Sequence, residues 1–444
     1  MTPAQRGGRT RRCESSAPER APGPVEFLYR LPGTDLYALG GTLQAMALNP
    51  FIWDRPLDDP SKIIGMEAFA HQVAMTLKGQ TNVALFGPRD TGKTTFVNQL
   101  ALELSKSHGV DAPPFDVVKI NLQRVVSIPG FIGCVHDAMV GHPVKHLRRA
   151  AQRQIGLLEK EIGFDIKVIK GSVRRARVKP DQDAETLHAQ LAALRSVSQH
   201  LVVVFDEFQR LRHCPGDPLS IIRSALMSSG ANHVSLLFTG SIRNALKMML
   251  EDSHQPIFGE ATRMQLPSIE RADFLEYLDF QFEATGKPAE EQALTHLLNL
   301  TRAHPRSTQQ LAWETWANTP DGQPVTLEAV IGAHDRLVQT IERSEFASVL
   351  NVLASGDEGE INEVRALQLL ADRGGDTVTS RPLATLYGFS SHSRVRPALV
   401  RLQGRGLVDE RDGSWYIVDP LFNEWLRRSS PLADRPVPAE SPEA

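Results

Sequence analysis

Gly87 to Thr94, within FGPRDTGKTT, carry the spacing G-x-x-x-x-G-K-[ST]. Each residue type in it has a chemical use. Glycines let the backbone turn so that successive N–H groups point inward at a phosphate. The head of the following helix adds the positive end of its dipole. A lysine reaches the β and γ phosphates, and a hydroxyl ligates Mg²⁺. The run Gly87, Pro88, Arg89, Asp90, Thr91, Gly92, Lys93, Thr94 and Thr95 is therefore a candidate cradle for ATP, with Thr94 on the metal. The competing reading is a chance match in a turn, and the flanks decide against it. Asn82 to Phe86 reads as a short buried strand, and Thr94 to Ser107 as a helix with Phe96, Val97, Leu100, Leu102 and Leu104 on its apolar side.

Leu201 to Phe208, LVVVFDEF, is an apolar strand that ends in two carboxylates. In this pairing Asp206 holds the Mg²⁺ shell and Glu207 orients and polarises the attacking water. A surface acidic pair would be the alternative, but that reading loses force downstream of a phosphate loop. Further candidates are less specific. VSLLFTGS ends in Thr239 and Ser241, either of which could contact a γ-phosphate or only cap a strand, and Arg243 follows at once. Arg263, just before the strand candidate Met264 to Leu266, could stabilise transition-state charge at its own or a neighbour's site, or only be solvated. His304 and Arg306 in TRAHPRSTQQ could face the nucleotide or cap their helix.

The elements that must position these groups alternate between strand and helix. Glu67 to Lys78 has helical periodicity, Val117 to Asn121 is a strand candidate, and Val234 to Phe238 repeats the apolar, β-branched character of Leu201 to Phe205. This alternation predicts a parallel α/β sheet. Between its strands lie a basic helical stretch, KHLRRAAQRQIGLLEK, and FDIKVIKGSVRRARV, which alternates like a hairpin about Gly171. Arg174, Arg175, Arg177 and Lys179 there read as a solvated basic face. Strands stop at Arg271. Ala272 to Thr285, Ala289 to Thr301 and Thr308 to Ala317 are helical, and a further helix is expected over Leu327 to Leu350.

The chain has 444 residues, 41% hydrophobic and 6% aromatic, with a formal net charge of -3. That supports two or three packed domains and excludes a global basic field for nucleic acid. Cys13, Cys134 and Cys214 form neither a disulfide framework nor a CxxC pair, which fits a reducing cytoplasm. Cys134, His136, His142 and His146 lie close together but match no common zinc spacing. No apolar run is long enough for a membrane span. The arginine-rich start lacks the apolar core of a secretory signal and reads, like the Pro-rich end, as a disordered tail.

NPF, IIG, GPRDTGKTT, VVVFDEFQRL, FTGSI, FGEATRMQLP and AHPRSTQQLA occur in that order. The series resembles the archaeal-type ATPases of the STAND/AAA+ group and is similar to the origin-recognition initiator ATPases, from Pro50 to about Leu426. The resemblance implies an AAA+ core, a helical lid and a C-terminal winged helix. It places Gly87, Gly92, Lys93 and Thr94 at the P-loop (Walker A), Asp206 and Glu207 at Walker B, and makes Arg263 an arginine finger. Two positions depart from the pattern: Ala303 stands where the lid motif has glycine, and Met66 where the segment after IIG has arginine.

The end of the chain has its own grammar. Glu363 to Leu370, Ser380 to Leu386 and a stretch capped by Ser391 or Ser393 and running to about Leu402 are helical, and LVDERDGSWYIV reads as a hairpin with Asp412-Gly413 at the turn. That is winged-helix grammar. Arg394, Arg396 and Arg401 could contact DNA phosphates or guanine edges; protein contacts or internal packing is the other use of such a module.

The expected organisation is a tail over 1–35, a P-loop core over 36–270, a helical lid and linker helix over 271–350, a winged helix over 351–428 and a tail over 429–444. The expected activity is a cytoplasmic ATPase using ATP and Mg²⁺, likened to AAA+ and STAND proteins. Its partners would be double-stranded DNA, proteins or further copies of itself, and no membrane. The alternative is a STAND-type switch acting through protein contacts alone.

Overall fold

The computed structural model describes residues 48–57, 63–106, 114–142, 144–162, 168–169, 172–173, 183–227, 234–240, 257, 259–341, 345–375 and 378–430. The expected tails over 1–35 and from 431 onward lie outside these residues, as do Cys13, Arg174, Arg175, Arg177, Lys179, Ser241 and Arg243.

The core starts from strands whose residues alternate between two apolar faces. β1 (Val83–Phe86), β2 (Asp116–Asn121), β5 (Leu201–Asp206), β6 (Val234–Gly240) and β7 (Thr262–Gln265) form one all-parallel sheet in the order β2-β5-β6-β1-β7. β1, β5 and β6 are buried along their length, as strands covered on both faces must be. Val203, Phe205, Leu236 and Phe238 face one core. Val202, Val204 and Leu237 face the other. α1 (Glu67–Lys78) and α2 (Lys93–Ser105) cover the second face, and α3 (Ile128–Val140), α4 (Lys145–Ile162) and α5 (Asp183–Leu194) cover the first. On α4, Leu147, Ala151 and Ile155 fall four residues apart and are buried, which turns the basic residues between them outward. β3 (Val168–Ile169) and β4 (Ser172–Val173) pair antiparallel, the described part of the expected hairpin. α6 (Pro218–Ile222) runs into a π-helical turn over Arg223–Met227.

A second body of helices follows: α7 (Arg271–Ala284), α8 (Glu291–Leu300), α9 (Pro305–Asn318) and α10 (Leu327–Ile341). Their core takes in Phe51 from the segment ahead of α1, whose ring stands 4.7 Å from that of Phe282. Gly65 lies where that segment meets α7. Its φ is +61°, and a Cβ there would stand 2.4 Å from Asp273 Oδ2, so only glycine fits. The helix expected over Leu327 to Leu350 is seen as α10 up to Ile341 and as α11 (Glu345–Ala354), with residues 342–344 between them outside the described residues.

The C-terminal body is a winged-helix arrangement. α12 (Glu358–Arg373), α13 (Arg381–Leu386) and α14 (Val395–Gly404) are followed by the hairpin β8 (Val408–Arg411) and β9 (Ser414–Ile417), and α15 (Pro420–Ser429) closes it. α12 begins with a capping box between Asp357 and Glu360. Phe422 and Leu426 of α15 join the core of this body, while Leu421 enters the core of the α7–α10 helices. The last helix thus spans both. Among the described residues, no helix is long and apolar enough to cross a membrane.

Candidate nucleotide site

The site is assembled at the carboxyl ends of the parallel strands, where α/β sheets form their ligand crevices. β1 ends at Phe86, and the chain turns through Gly87–Gly92 into α2. Asp90 has φ +60° and Gly92, at the N-cap, φ +87°. The second value explains the glycine: a side chain would be strained there. Lys93 opens the helix and is only 6% exposed. Its ammonium donates to the Gly87 carbonyl at 3.1 Å and to the Pro88 carbonyl. Burial pushes its pKa down, opposed by the nearby Glu207 and Asp206.

The placing of Asp206 and Glu207 follows from strand register. Phe205 pairs with Phe238 and Leu85 with Thr239, so β6 lies between the P-loop strand and the strand carrying Asp206. Thr94 Oγ1 donates to Asp206 Oδ2 at 3.2 Å across that gap. Thr239 is fully buried and donates its hydroxyl to Asp206 Oδ1. It is thus a support for the carboxylate rather than a wall of the cavity. Glu207 adopts φ +59°, donates its N–H to Asp206 Oδ1 at 3.1 Å and accepts from Gln209 Nε2. Left-handed backbone at a non-glycine residue is uncommon and stores local strain.

A cavity of about 1190 Å³ opens on Lys93, Thr94, Asp206 and Glu207. Three further walls close it. Ile52 and Trp53 come from the segment before α1, Pro305 and Arg306 from α9, and Val400 and Gly404 through Leu407 from the winged helix. Arg306 donates to Asp90 Oδ2 at 3.1 Å, so the lid touches the P-loop directly. His304 caps α9 and pairs with Ser307 Oγ at 2.9 Å, and Ser307 Oγ donates to Asp419 Oδ1 at 3.3 Å. Asp419 in turn caps α15. A chain of polar contacts therefore runs from lid to last helix. Burial lowers the His304 pKa, against the pull of Asp419 and the Arg89 backbone.

Several expected residues sit elsewhere. Arg263 is exposed on the edge strand β7, paired with Ala84 two residues short of the end of β1, and does not line the cavity. Arg401, expected as a DNA contact, is engaged within the winged helix. Its Nε lies 2.8 Å from Glu363 Oε1 and its Nη2 donates to the Gly359 carbonyl at 2.8 Å. Arg405 Nε takes the other oxygen of the buried Glu363 at 2.8 Å. Spacing along α14 showed no acid among the arginines, but the acid comes from α12, which sequence distance hides. Arg394 and Arg396 are exposed, and their side chains make no hydrogen bond or ion pair among the described residues. His142, from the Cys/His cluster, uses Nε2 on the Val117 carbonyl at 2.8 Å and Nδ1 on the Val144 N–H, a structural role. Trp53, Gln209 and the winged-helix residues from Gly404 to Leu407 were not expected at the cavity. Only the two-residue spacing of Gln209 from Glu207 offered a sequence signal.

Among solved structures, the chain is similar to a Walker-type ATPase of Pyrococcus abyssi, with TM-score 0.58 and 16% identity over 84% of this chain and 99% of that one. It is less similar to the ORC2 protein of Aeropyrum pernix in its ADP form, with TM-score 0.49 and 14% identity over 85% of this chain and 97% of that one. The RuvB Holliday junction branch migration motor of Thermotoga maritima gives TM-score 0.39 and 15% identity over 81% and 94%. No family model and no curated protein matches the sequence. At 16% identity the first likeness is one of fold, and it agrees with the sheet order and the added helical and winged-helix bodies: this is an AAA+-like P-loop α/β fold.

Proposed function

We propose that the protein is a Mg²⁺-dependent ATPase whose nucleotide state sets the position of its winged helix, and that the winged helix engages double-stranded DNA. The observation that carries the reading is the meeting of Thr94 Oγ1 and Asp206 Oδ2, 3.2 Å apart, beside the buried Lys93. A hydroxyl and a carboxylate are the hard oxygen donors Mg²⁺ takes when phosphates complete its shell, so the residues present fit the ion. When bound, it would neutralise charge on the β and γ phosphate oxygens.

The chain's own groups divide the remaining work. The amides of the Gly87–Thr94 turn receive the phosphates, and the Lys93 ammonium exchanges its two loop carbonyls for phosphate oxygens. Asp206 keeps its orientation because Thr239 holds its other oxygen. Glu207, steadied by Gln209, orients the attacking water. Arg306 is the cation that reaches this end of the cavity from the lid. Arg263, away from its own cavity, would serve a neighbouring copy on this reading. The outline of the cavity supports coupling, since core, lid and winged helix each contribute a wall.

Calorimetry should detect ATP uptake that Lys93→Ala abolishes. Glu207→Gln should still bind ATP, with turnover reduced at least about 100-fold. Parental turnover in that variant would refute the role given to Glu207. Double-stranded DNA binding should weaken steeply with salt.

A second reading, a STAND-type switch acting through protein contacts, is favoured by one feature. Val400 and Gly404, four residues apart on α14, face the cavity, and Arg396 lies one turn earlier on that helix. The helix that would read DNA is thus partly committed to the ATPase core. ATP-triggered oligomerisation that ignores DNA would select this reading over the first.

A further inference from the structure

The phosphate end of the cavity is polar, whereas the wall formed by the segment ahead of α1 is apolar apart from the exposed Asp54 and Arg55. Ile52, Trp53, Ile63, Ile64 and Met66 line it. Ile63 and Met66 are buried, while Ile52 and Trp53 remain half-buried at the surface of the cavity. Met66 stands where the resembled pattern has arginine, so that position adds an apolar side chain to the wall. Trp53 supplies a flat aromatic face on the same side.

Trp53 is also held in place. Phe51 anchors one end of the segment in the core of the α7–α10 helices, with its N–H donated to Asn49 Oδ1 at 3.1 Å, and Asn49 Nδ2 donates to the Trp313 carbonyl at 3.0 Å. Leu57 fixes the other end on α2: its N–H donates to Thr95 Oγ1 at 3.2 Å and its carbonyl accepts from Asn98 Nδ2 at 3.0 Å. The segment is pinned on both sides of Trp53, and one pin is a residue of the phosphate-binding helix. On the cavity side, the Arg306 guanidinium carbon stands 5.9 Å from the Trp53 ring centroid while its Nη1 reaches Asp90. One arginine therefore touches both the P-loop and the aromatic wall.

We infer that Trp53 is the platform on which the nucleobase stacks. The inference rests on the nucleotide reading above and deepens it by naming what holds the base. An aromatic platform favours any base through its π-face rather than through its hydrogen-bonding edge, and stacking is worth about 1–3 kcal/mol per base. Pinning at both ends means that little ordering is left for binding to bring about.

The test uses the full chain, with ATP and inorganic tripolyphosphate as probes. Trp53→Ala should weaken ATP binding about 5- to 150-fold, the span that stacking implies, and leave tripolyphosphate binding within about twofold. Trp53→Phe should keep ATP within about threefold, and the quench of tryptophan emission on ATP addition should largely vanish in it. Equal ATP affinity in parent and Trp53→Ala overturns the assignment. So does a parallel loss of ATP and tripolyphosphate, which would mark Trp53 as merely structural. A parent chain that binds tripolyphosphate but not ATP removes the base site while leaving the phosphate cradle. A parent that binds neither removes the cradle and, with it, the platform.

Discussion

At the scale of single residues, Arg394, Arg396 and Arg401 look alike in sequence but do different work. Arg401 shares the buried Glu363 with Arg405, both guanidinium groups 44% exposed. Removing one partner of a fully buried pair costs about 3–5 kcal/mol. Arg405 remains on Glu363 and water screens the arginines, so Arg401→Ala should cost nearer 1–2 kcal/mol in urea unfolding. Arg394→Ala and Arg396→Ala should stay within about 0.5 kcal/mol of the parent. On the DNA reading, the double variant should still weaken DNA binding and flatten its salt dependence; unchanged binding would tell against a DNA role for this helix. Two histidines add a pH effect of definite sign. Burial lowers the pKa of both His304 and His334, with Arg428 adding to the second. Their folded values lie below the unfolded value of 6.5. The stability they contribute is present above 6.5 and is lost as pH falls through the folded values, because the unfolded chain binds the protons more readily. Thermal midpoints should therefore drop on acidification from pH ~7 to ~5.5, less so in His304→Gln. Lys93, Thr94, Asp206 and Glu207, which the fold brings to one cavity, could be picked out because a phosphate-binding pattern prescribes both residue types and spacing. Their supports, Thr239 and Gln209, become visible only through register and burial.

At the scale of elements, the lid motif carries a strained position. Arg302 and Ala303 have φ +50° and +53°, between α8 and α9. Alanine stands at a backbone conformation that suits glycine, the residue the resembled pattern has there, and the left-handed region costs a non-glycine residue about 1–2 kcal/mol. Ala303→Gly should raise stability by up to about 1 kcal/mol after the extra entropy glycine loses on folding. A lower midpoint in denaturant would mean that the alanine methyl is needed for packing beside α8. The same element scale shows where the pattern of apolar residues succeeds and where it fails. α1 follows from helical periodicity, and β1, β5 and β6 from continuous apolar runs, because the strands are buried on both faces. α3 escaped because it is apolar almost all round: Phe131, Ile132, Val135 and Met139 are buried, and its polar Cys134 and His136 drew attention to metal spacing instead. It starts at Ser127, whose hydroxyl accepts from the Gly130 N–H.

At the scale of the molecule, the winged helix is a wall of the cavity that opens on Lys93 and Asp206. Gly406 lies against Arg89: a Cβ there would stand 3.8 Å from the arginine's Cδ. Asp419, at the head of α15, accepts from Ser307 of the lid. A change at the P-loop has two routes to the last helix, one through Arg89 and Gly406, the other through Asp90, Arg306 and the His304–Ser307–Asp419 chain. Neither requires the core to deform, because the apolar clusters of sheet, helical body and winged helix are separate, the last two sharing α15. If nucleotide state moves the winged helix, spin labels at the exposed Glu185 and Asp412, in a chain freed of its native cysteines, should give different distance distributions with ADP and with ATP on the slow Glu207→Gln background. Ser307→Ala breaks one route while leaving Lys93, Thr94 and Asp206 intact, so it should bind ATP normally and shrink the difference between the two distributions. Identical distributions in the unmodified chain would leave the ATPase site standing but end the claim that it drives the winged helix.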